Sequence, residues 1–489
     1  MKSILAVVLV SLAAVASART EDVTLWKGET RCLILHDHVK VGVAPAGIEV
    51  RVGTAKEIRY LDRPFGTHYR TMADRVVWGS SDPGVKVASI AVAADVSAGT
   101  YGIGDLQVTV LDRVLPPAKD WKYFFDLWQH PWAVARYFNV EPFSPAHYAA
   151  MKPLWELLAT AGQKSLTVTL LDQPWNHQCY DAYHSMVRHI RRKDGAWTFD
   201  YRLLDEYVAF GRSCGLGPEI GCFTMCPWDY AVTWEEEDGT VRTAKAVPGT
   251  DAFRDYWGDF LVDFAKHMKE KGWFDDTWIC MDERSPDDVL NIVRFVNEKA
   301  PGLHVYLAGN RSPSEFKDIR LDHVCFGLSH LSDALVAEAT PRRTQGMLTT
   351  YYVCCGPMHP NMMCHNEIDE AFWVGAYPAM VGLDGFNCWA WNSWPEDPMH
   401  DASYTGIGWG WHAGDTYLVY PDASPSLRFL ELRNGIIAAE KIRLLKEQGL
   451  FGDEIAAIAA KFDRKRAMDN KTDFQTLRIR VQELVNREK

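Results

Sequence analysis

Hydrophobic and polar positions change rhythm near residue 118 of this chain. Between Thr20 and Leu115 the runs are short, and "GIEVRVGT" and "DLQVTVLDRVL" alternate, with the β-branched "VKVASIAVAADV" between them. Strict alternation puts one face of a strand in a core and the other in water. No long helical period interrupts these runs. They predict a small β-sandwich over 19–117, ended by the stiff Pro116-Pro117 pair.

After Ala118, strand-like runs alternate with helical periods. The strands are read at Tyr123–Leu127, "SLTVTLL", "PEIGCFTM", "TWICM", "LHVYLAG", "HVCFGL", "MLTTYYVCC" and "GFNCWAW". Helical stretches fall between most of them. The clearest sets Phe253, Tyr256, Trp257, Phe260, Leu261 and Phe264 on one apolar face. Another opens at Ser144-Pro145, an N-cap followed by Pro at the first helical position; Pro153 should kink it and Gly162 end it. Strands alternating with helices make a parallel sheet, and eight units over 118–448 predict an α/β fold, a (β/α)8 barrel behind the sandwich. The remaining 449–489 read as a charged C-terminal helical segment at the surface. "EEED" within the loop from Pro227 to Thr250 suits either a lid or a solvated hairpin.

Composition narrows the partners. Lys2, the apolar Ile4 to Val15 and Ala16-Ser17-Ala18 read as a signal peptide, 1–18, cleaved near Ala18, so the expected location is periplasmic or extracellular. That run is shorter than the roughly 20 residues of a spanning helix, and no other stretch is long and apolar enough to span. Without Lys2 the chain holds 51 basic and 64 acidic residues, a net charge of −13. No basic block stands against that, which argues against nucleic acid and anionic membrane surfaces as partners. The eleven cysteines are odd in number, so at least one is unpaired within the chain. Cys354, Cys355, His359, Cys364 and His365 cluster, but neighbouring cysteines on a strand point apart. They are read as buried thiols with a local structural role, and no metal or other cofactor is expected.

The chemistry gathers at "WICMDERSP", Trp278 to Pro286. Asp282 and Glu283 end the fourth strand, just before the helix start at Ser285-Pro286. In a barrel the loops after the strands converge on one rim. Regular pleating would aim only one of two adjacent acids inward, so both reach one site only if the strand ends or bulges between them. Two close carboxylates raise each other's proton affinity, leaving one protonated as donor and one ionised. That division suits glycosidic cleavage. Neighbours cannot easily straddle the scissile bond, so a substrate-assisted route fits: a 2-acetamido group attacks the anomeric carbon, one acid orients it and the other protonates the leaving oxygen. Tyr351 and Tyr352 follow strand seven, and Trp389, Trp391 and Trp394 lie at and after strand eight, where a hydroxyl and aromatic walls are needed.

"FDLWQHPWAVARYFNVEPFSPAHY", "MDE", "TYYVCCGPMHPN", "GFNCWAWNSW" and "GDTYLVYP…PSLRFLELRNGI" resemble, in this order, glycoside hydrolase family 123. The resemblance runs from about Ser97 to about Lys446. It implies a barrel behind a β-sandwich and an exo-acting, retaining β-N-acetylgalactosaminidase using substrate-assisted catalysis. Asp282 matches the acid that supports the acetamido group and Glu283 the general acid/base. Tyr352 resembles the tyrosine that binds the acetamido oxygen, and Trp389 and Trp391 the aromatic wall. Trp175, His177, Trp228 and Asn392 lie on rim loops as candidates for sugar contacts. The implied partner is a glycan or glycolipid ending in an N-acetylhexosamine. Two features depart from the pattern: a short N-terminal portion, and Arg284, whose charge would hinder a general acid if it faced the site. They leave room for an inactive carbohydrate-binding barrel. A hydrolase for another 2-acetamido sugar, such as β-N-acetylglucosamine, is a further alternative.

Overall fold

A computed structural model describes residues 21–316, 318–405, 409–466 and 472–488. The segment read as a signal peptide lies outside the described residues.

Eight parallel strands form the central sheet: Phe124–Trp128, Ser165–Thr169, Glu219–Phe223, Thr277–Asp282, His304–Ala308, His323–Gly327, Leu348–Tyr352 and Gly385–Trp389. Each falls within or against a run expected to be a strand. Leu127, Val168, Ile220, Ile279, Val305, Val324 and Phe386 take alternate positions and are buried, facing the surrounding helices. The other set, including Asp126, Cys280, Tyr306, His323, Thr350 and Asn387, fills the barrel interior. There Phe124 meets His323 edge-on at 4.6 Å and Trp278 stacks on His304 at 4.7 Å. His323 Nε2 lies 2.7 Å from Thr350 Oγ1. The interior is therefore packed with aromatic and hydrogen-bonded polar groups, and it opens into a cavity at the strands' C-terminal ends.

The barrel closes between its first and second strands by one backbone bond, Lys164 N–H to Phe125 O at 2.8 Å, and by side chains rather than a regular ladder. Leu127 N–H donates to Gln163 Oε1 at 2.9 Å, and Gln163 Nε2 donates to Ser165 O and Asp126 Oδ1, both at 2.7 Å. One turn higher, Thr167 N–H donates to Gln129 Oε1 at 2.8 Å, and Gln129 N–H to Thr167 Oγ1 at 3.1 Å. An amide side chain carries both a donor and an acceptor, so it replaces a peptide group where the strands part. The opposite flank of the first strand is held by Gly385: a Cβ there would come 1.8 Å from Phe124 O.

Most crossovers carry a helix. Pro145–Ala159 opens at Ser144, whose Oγ accepts from His147 N–H, and it runs through Pro153. Asp251–Lys271 buries all six residues of its predicted apolar face and stops at Gly272, φ +70°. The fifth crossover is different, with only a short 3-10 turn at Pro313–Glu315 among its described residues. The acidic hairpin, Ala231–Glu236 and Val241–Lys245, is built into a four-stranded sheet with Arg188–Arg191 and Trp197–Asp200. Glu235 binds the Arg188 guanidinium through both oxygens, at 3.0 and 2.6 Å.

The N-terminal strands make a three-stranded and a four-stranded sheet around Leu25, Ala88, Ile90, Ile103 and Val108. The larger sheet docks on the last barrel helix, Leu427–Glu447. Asp74 pairs with Arg428 at 2.9 Å and Glu29 with Lys441 at 2.5 Å, all four side chains almost fully buried. Asn434 exchanges two hydrogen bonds with the Cys32 backbone. Beyond the barrel, Gly452–Ala459 and Phe474–Val485 are amphipathic rather than wholly superficial. Phe474, Leu477 and Val481 are buried, and Phe474 packs near Trp373 and Phe462.

Candidate active site

Asp282 is the last residue of the fourth strand, registered with Ala308 of the fifth. The next residue leaves the pleat. Glu283 takes φ +48°, in the left-handed region, while its N–H still donates to Ala308 O at 2.6 Å. A residue with a Cβ pays about 1 to 2 kcal/mol for that conformation. An extended Glu283 would face the opposite side of the sheet from Asp282. The left-handed turn is what brings both carboxylates into one cavity.

The cavity holds about 130 Å³ at the C-terminal mouth of the barrel. Asp282, Glu283 and Ala308 form one side. Trp128, Trp175 and Trp228 form an indole wall, with Trp128 and Trp175 stacked at 5.2 Å. Trp389, Trp411 and Asn387 stand opposite, the two indoles meeting edge-on at 5.2 Å. Tyr352, Gln178, Cys354 and Cys355 complete it.

The two acids live in different surroundings. Asp282 is crowded by protein except toward the cavity, and burial raises its pKa to about 8, with the charge of Glu283 adding to the effect. The indole N–H groups of Trp228 and Trp175 and the charge of Arg284 act the other way. Glu283 is exposed, and its Oε1 accepts a 2.6 Å hydrogen bond from the Tyr352 hydroxyl. That phenol is held neutral by burial and by Glu283. One buried acid that keeps its proton beside one accessible acid gives the pair a proton that can be passed between them and on to a leaving group.

Arg284 points away from Glu283. Its NH2 lies 3.7 Å from Asp288 Oδ2, and its guanidinium sits 4.8 Å from the Tyr230 ring centre. Asp288 also accepts from Ser285 Oγ and Tyr230 OH. The cation is thus neutralised behind the rim.

Of the nine side chains singled out from the sequence, Asp282, Glu283, Tyr352, Trp389, Trp228 and Trp175 share this cavity. Three do not. Trp391 is fully buried, 4.8 Å from Phe429 of the last helix. The strand stops at Trp389, so its two-residue period no longer carries Trp391 to the same face. Asn392 is buried with both ends of its amide on the His130 backbone, at 2.9 Å each. His177 is exposed on its turn, and its neighbour Gln178 reaches the cavity instead. In this structure the Tyr352 hydroxyl is committed to Glu283.

Trp128, Asn387, Gln178, Trp411 and the cysteine pair were not picked out from the sequence as cavity residues. Trp128 and Asn387 could have been, because they occupy inward positions near their strands' C-terminal ends. Trp411 comes from a distant loop with no local signal. The Cys/His cluster does not converge: His359 pairs with Glu370 at 3.1 Å, and His365 packs against His412. No group of three or more His, Cys, Asp or Glu suited to a metal ion occurs among the described residues.

Paired acids and indole walls at the strand ends of an eight-stranded barrel define a carbohydrate-cleaving barrel of the glycosidase kind. Residues 128–445 match the family model "Glycoside hydrolase 123, catalytic domain". The chain belongs to glycoside hydrolase family 123, and it is a glycosidase by family. A family 123 glycoside hydrolase from Clostridium perfringens, described for glycolipid glycan hydrolysis, superposes with a TM-score of 0.83 at 22% identity, over 96% of this chain and 93% of that one. The catalytic domain of a β-amylase from Paenibacillus polymyxa reaches only 0.37 at 10% identity, over 65% and 98%. No curated protein matches the chain by sequence.

Proposed function

We propose that this chain is an exported, retaining exo-glycosidase that removes terminal β-linked N-acetylgalactosamine, with the sugar's own 2-acetamido group as nucleophile. The observation that carries the reading is the left-handed turn at Glu283, which aims two sequence-adjacent carboxyls into one indole-walled cavity. Acids so close cannot stand on opposite faces of a glycosidic bond as an acid and a carboxylate nucleophile do.

In the proposed cycle, Asp282 receives the acetamido N–H. Its high proton affinity falls as that donor arrives, because a hydrogen bond to the carboxylate favours the ionised form, and the proton it releases passes to Glu283. The acetamido oxygen attacks the anomeric carbon, and the C–O bond to the aglycone breaks. Glu283 gives its proton to the departing oxygen. Water then opens the cyclised sugar, with Glu283 taking the water's proton back. Tyr352 holds Glu283 before substrate binds and lies near enough to serve the acetamido oxygen afterwards. The indole walls offer flat apolar faces to the sugar ring and the acetamido methyl. The C. perfringens relative supports glycolipid glycans as the natural substrate class.

Glu283→Gln tests the assignment. It should lose nearly all turnover on substrates with poor leaving groups and much less on activated aryl β-N-acetylgalactosaminides. Equal loss on both would exclude Glu283 as the proton donor. Faster turnover of the aryl β-N-acetylglucosaminide than of its galactosamine counterpart would overturn the sugar assignment alone.

A further inference from the structure

Eleven cysteines are present, and nine are buried. The other two are neighbours. Cys354 is partly exposed, Cys355 is exposed, and their sulfurs lie 3.6 Å apart. Both line the same cavity as Asp282 and Glu283. They follow Tyr352 by two and three residues, on a loop fixed by Asn361. The Asn361 amide donates to Cys354 O at 2.8 Å and Pro357 O at 2.7 Å. Asn361 N–H in turn donates to the buried Glu370 at 3.1 Å. The two thiols are held together at an accessible site.

We propose that Cys354 and Cys355 are an oxidation site for low-molecular-weight disulfides of the glutathione type, closing reversibly into a disulfide between adjacent residues. The pair is divided for exchange. A hydrogen bond from Cys354 stabilises the Cys355 thiolate and lowers its pKa to about 7, against burial and the charge of Glu283. The same bond, with burial, holds Cys354 protonated. The exposed Cys355 thiolate attacks one sulfur of the small disulfide. That S–S bond breaks, and one thiolate leaves with the electron pair. Cys354 then gives its proton to solvent and attacks Cys355 Sγ, expelling the second thiolate. Two protein thiols are oxidised by two electrons, and one small disulfide becomes two thiols.

Reversibility follows from spacing. Adjacent Cα atoms sit about 3.8 Å apart, below the roughly 4.4 to 6.8 Å that disulfides usually span. A bond strained in this way is readily reduced. Closure also pulls on the loop directly after Tyr352, whose hydroxyl holds Glu283. Displacing Tyr352 lowers turnover, a consequence that rests on the glycosidase reading, whereas the disulfide itself does not.

The test uses the full chain, reduced and then exposed to glutathione disulfide. Remaining thiols are blocked with iodoacetamide and peptides are mapped by mass spectrometry. The peptide holding both cysteines should lose two hydrogen atoms, resist blocking and recover with dithiothreitol. Cys354→Ser should trap a glutathione adduct on Cys355, and Cys355→Ser should give neither product. Full blocking of both thiols in the wild type, or arrest at the glutathione adduct, overturns the site. Turnover of an aryl N-acetylhexosaminide should fall by about tenfold or more on oxidation and return on reduction. Disulfide formation with unchanged turnover overturns the link to Tyr352. A chain inactive on such substrates in both redox states overturns the glycosidase reading and leaves the disulfide result standing.

Discussion

Replacing Asp282 by Asn should make the protein more stable at neutral and alkaline pH while removing its activity on acetamido sugars. The cause is a carboxyl whose pKa rises from 3.8 to about 8 on folding, through burial first and the neighbouring Glu283 second. Between those limits the folded chain holds a proton that the unfolded chain has given up. Folding therefore takes up a proton, and stability falls as pH rises from about 4 to about 8, then stays level. At about 1.4 kcal/mol for each tenfold change in proton affinity, the full displacement is worth at most about 6 kcal/mol. Water reaches Asp282 through the cavity mouth and screens the charge, so about 2 to 3 kcal/mol is the expected effect. Asn has nearly the same shape and no proton to bind, so its curve lacks this slope. Urea unfolding of both proteins at several pH values between about 5 and 9 measures the difference. The gap should be small at the acid end and widen by about 2 to 3 kcal/mol in favour of the variant. Parallel curves across that range, or a variant that loses ground as pH rises, would refute a strongly proton-binding Asp282.

Three other substitutions probe the surroundings. Tyr352→Phe removes the hydroxyl that donates to Glu283; kcat/KM should fall by about tenfold to a hundredfold, from about 1.5 to 3 kcal/mol of charge-assisted hydrogen bonding, with the circular dichroism spectrum unchanged. Arg284→Met should move the pH profile of turnover only slightly and toward alkaline pH, because the guanidinium faces Asp288 and Tyr230 and its charge lowers the Asp282 pKa less than burial and Glu283 raise it. The same change should lower the unfolding free energy by about 1 to 2 kcal/mol, since Asp288 keeps its bonds to Ser285 and Tyr230. Gln163→Leu leaves the Leu127 N–H without its acceptor and removes the nearer donor to the Ser165 carbonyl and should cost about 2 to 4 kcal/mol, read by thermal melting.

The barrel strands were legible because each is a short, largely apolar run set between helical stretches, as a strand buried on both faces must be. The helix at Asp251–Lys271 was legible because six large apolar residues share one face and Gly272 can take the left-handed stop. The fifth crossover was less so, because "SPSEF" carries cap residues that suit a short 3-10 turn as well as a helix. At the site, strand-end position identified Asp282, Glu283, Tyr352 and Trp389, and the rim loops after strands two and three supplied Trp175 and Trp228. The same reasoning misplaced Trp391, because periodicity cannot say where a strand ends to within one residue. Asn392 and His177 sit on turns, where no period governs direction. The C-terminal segment looked superficial because charged residues are dense along it, yet Phe474, Leu477 and Val481 recur at helical spacing and seal that face.

Local order along the chain decided which residues would lie on strands, which faces would be buried and which acids would reach the rim, because those properties depend on neighbours a few positions apart. Three features depended on contacts between distant segments. The backbone torsion at Glu283 turns adjacent acids into partners only where Ala308 receives its N–H. Arg284 became harmless because Asp288 and Tyr230 lie behind it. Trp411 joined the cavity from a loop more than a hundred residues past the acids. A pocket is closed by whatever the fold brings to it, and sequence spacing does not record that meeting.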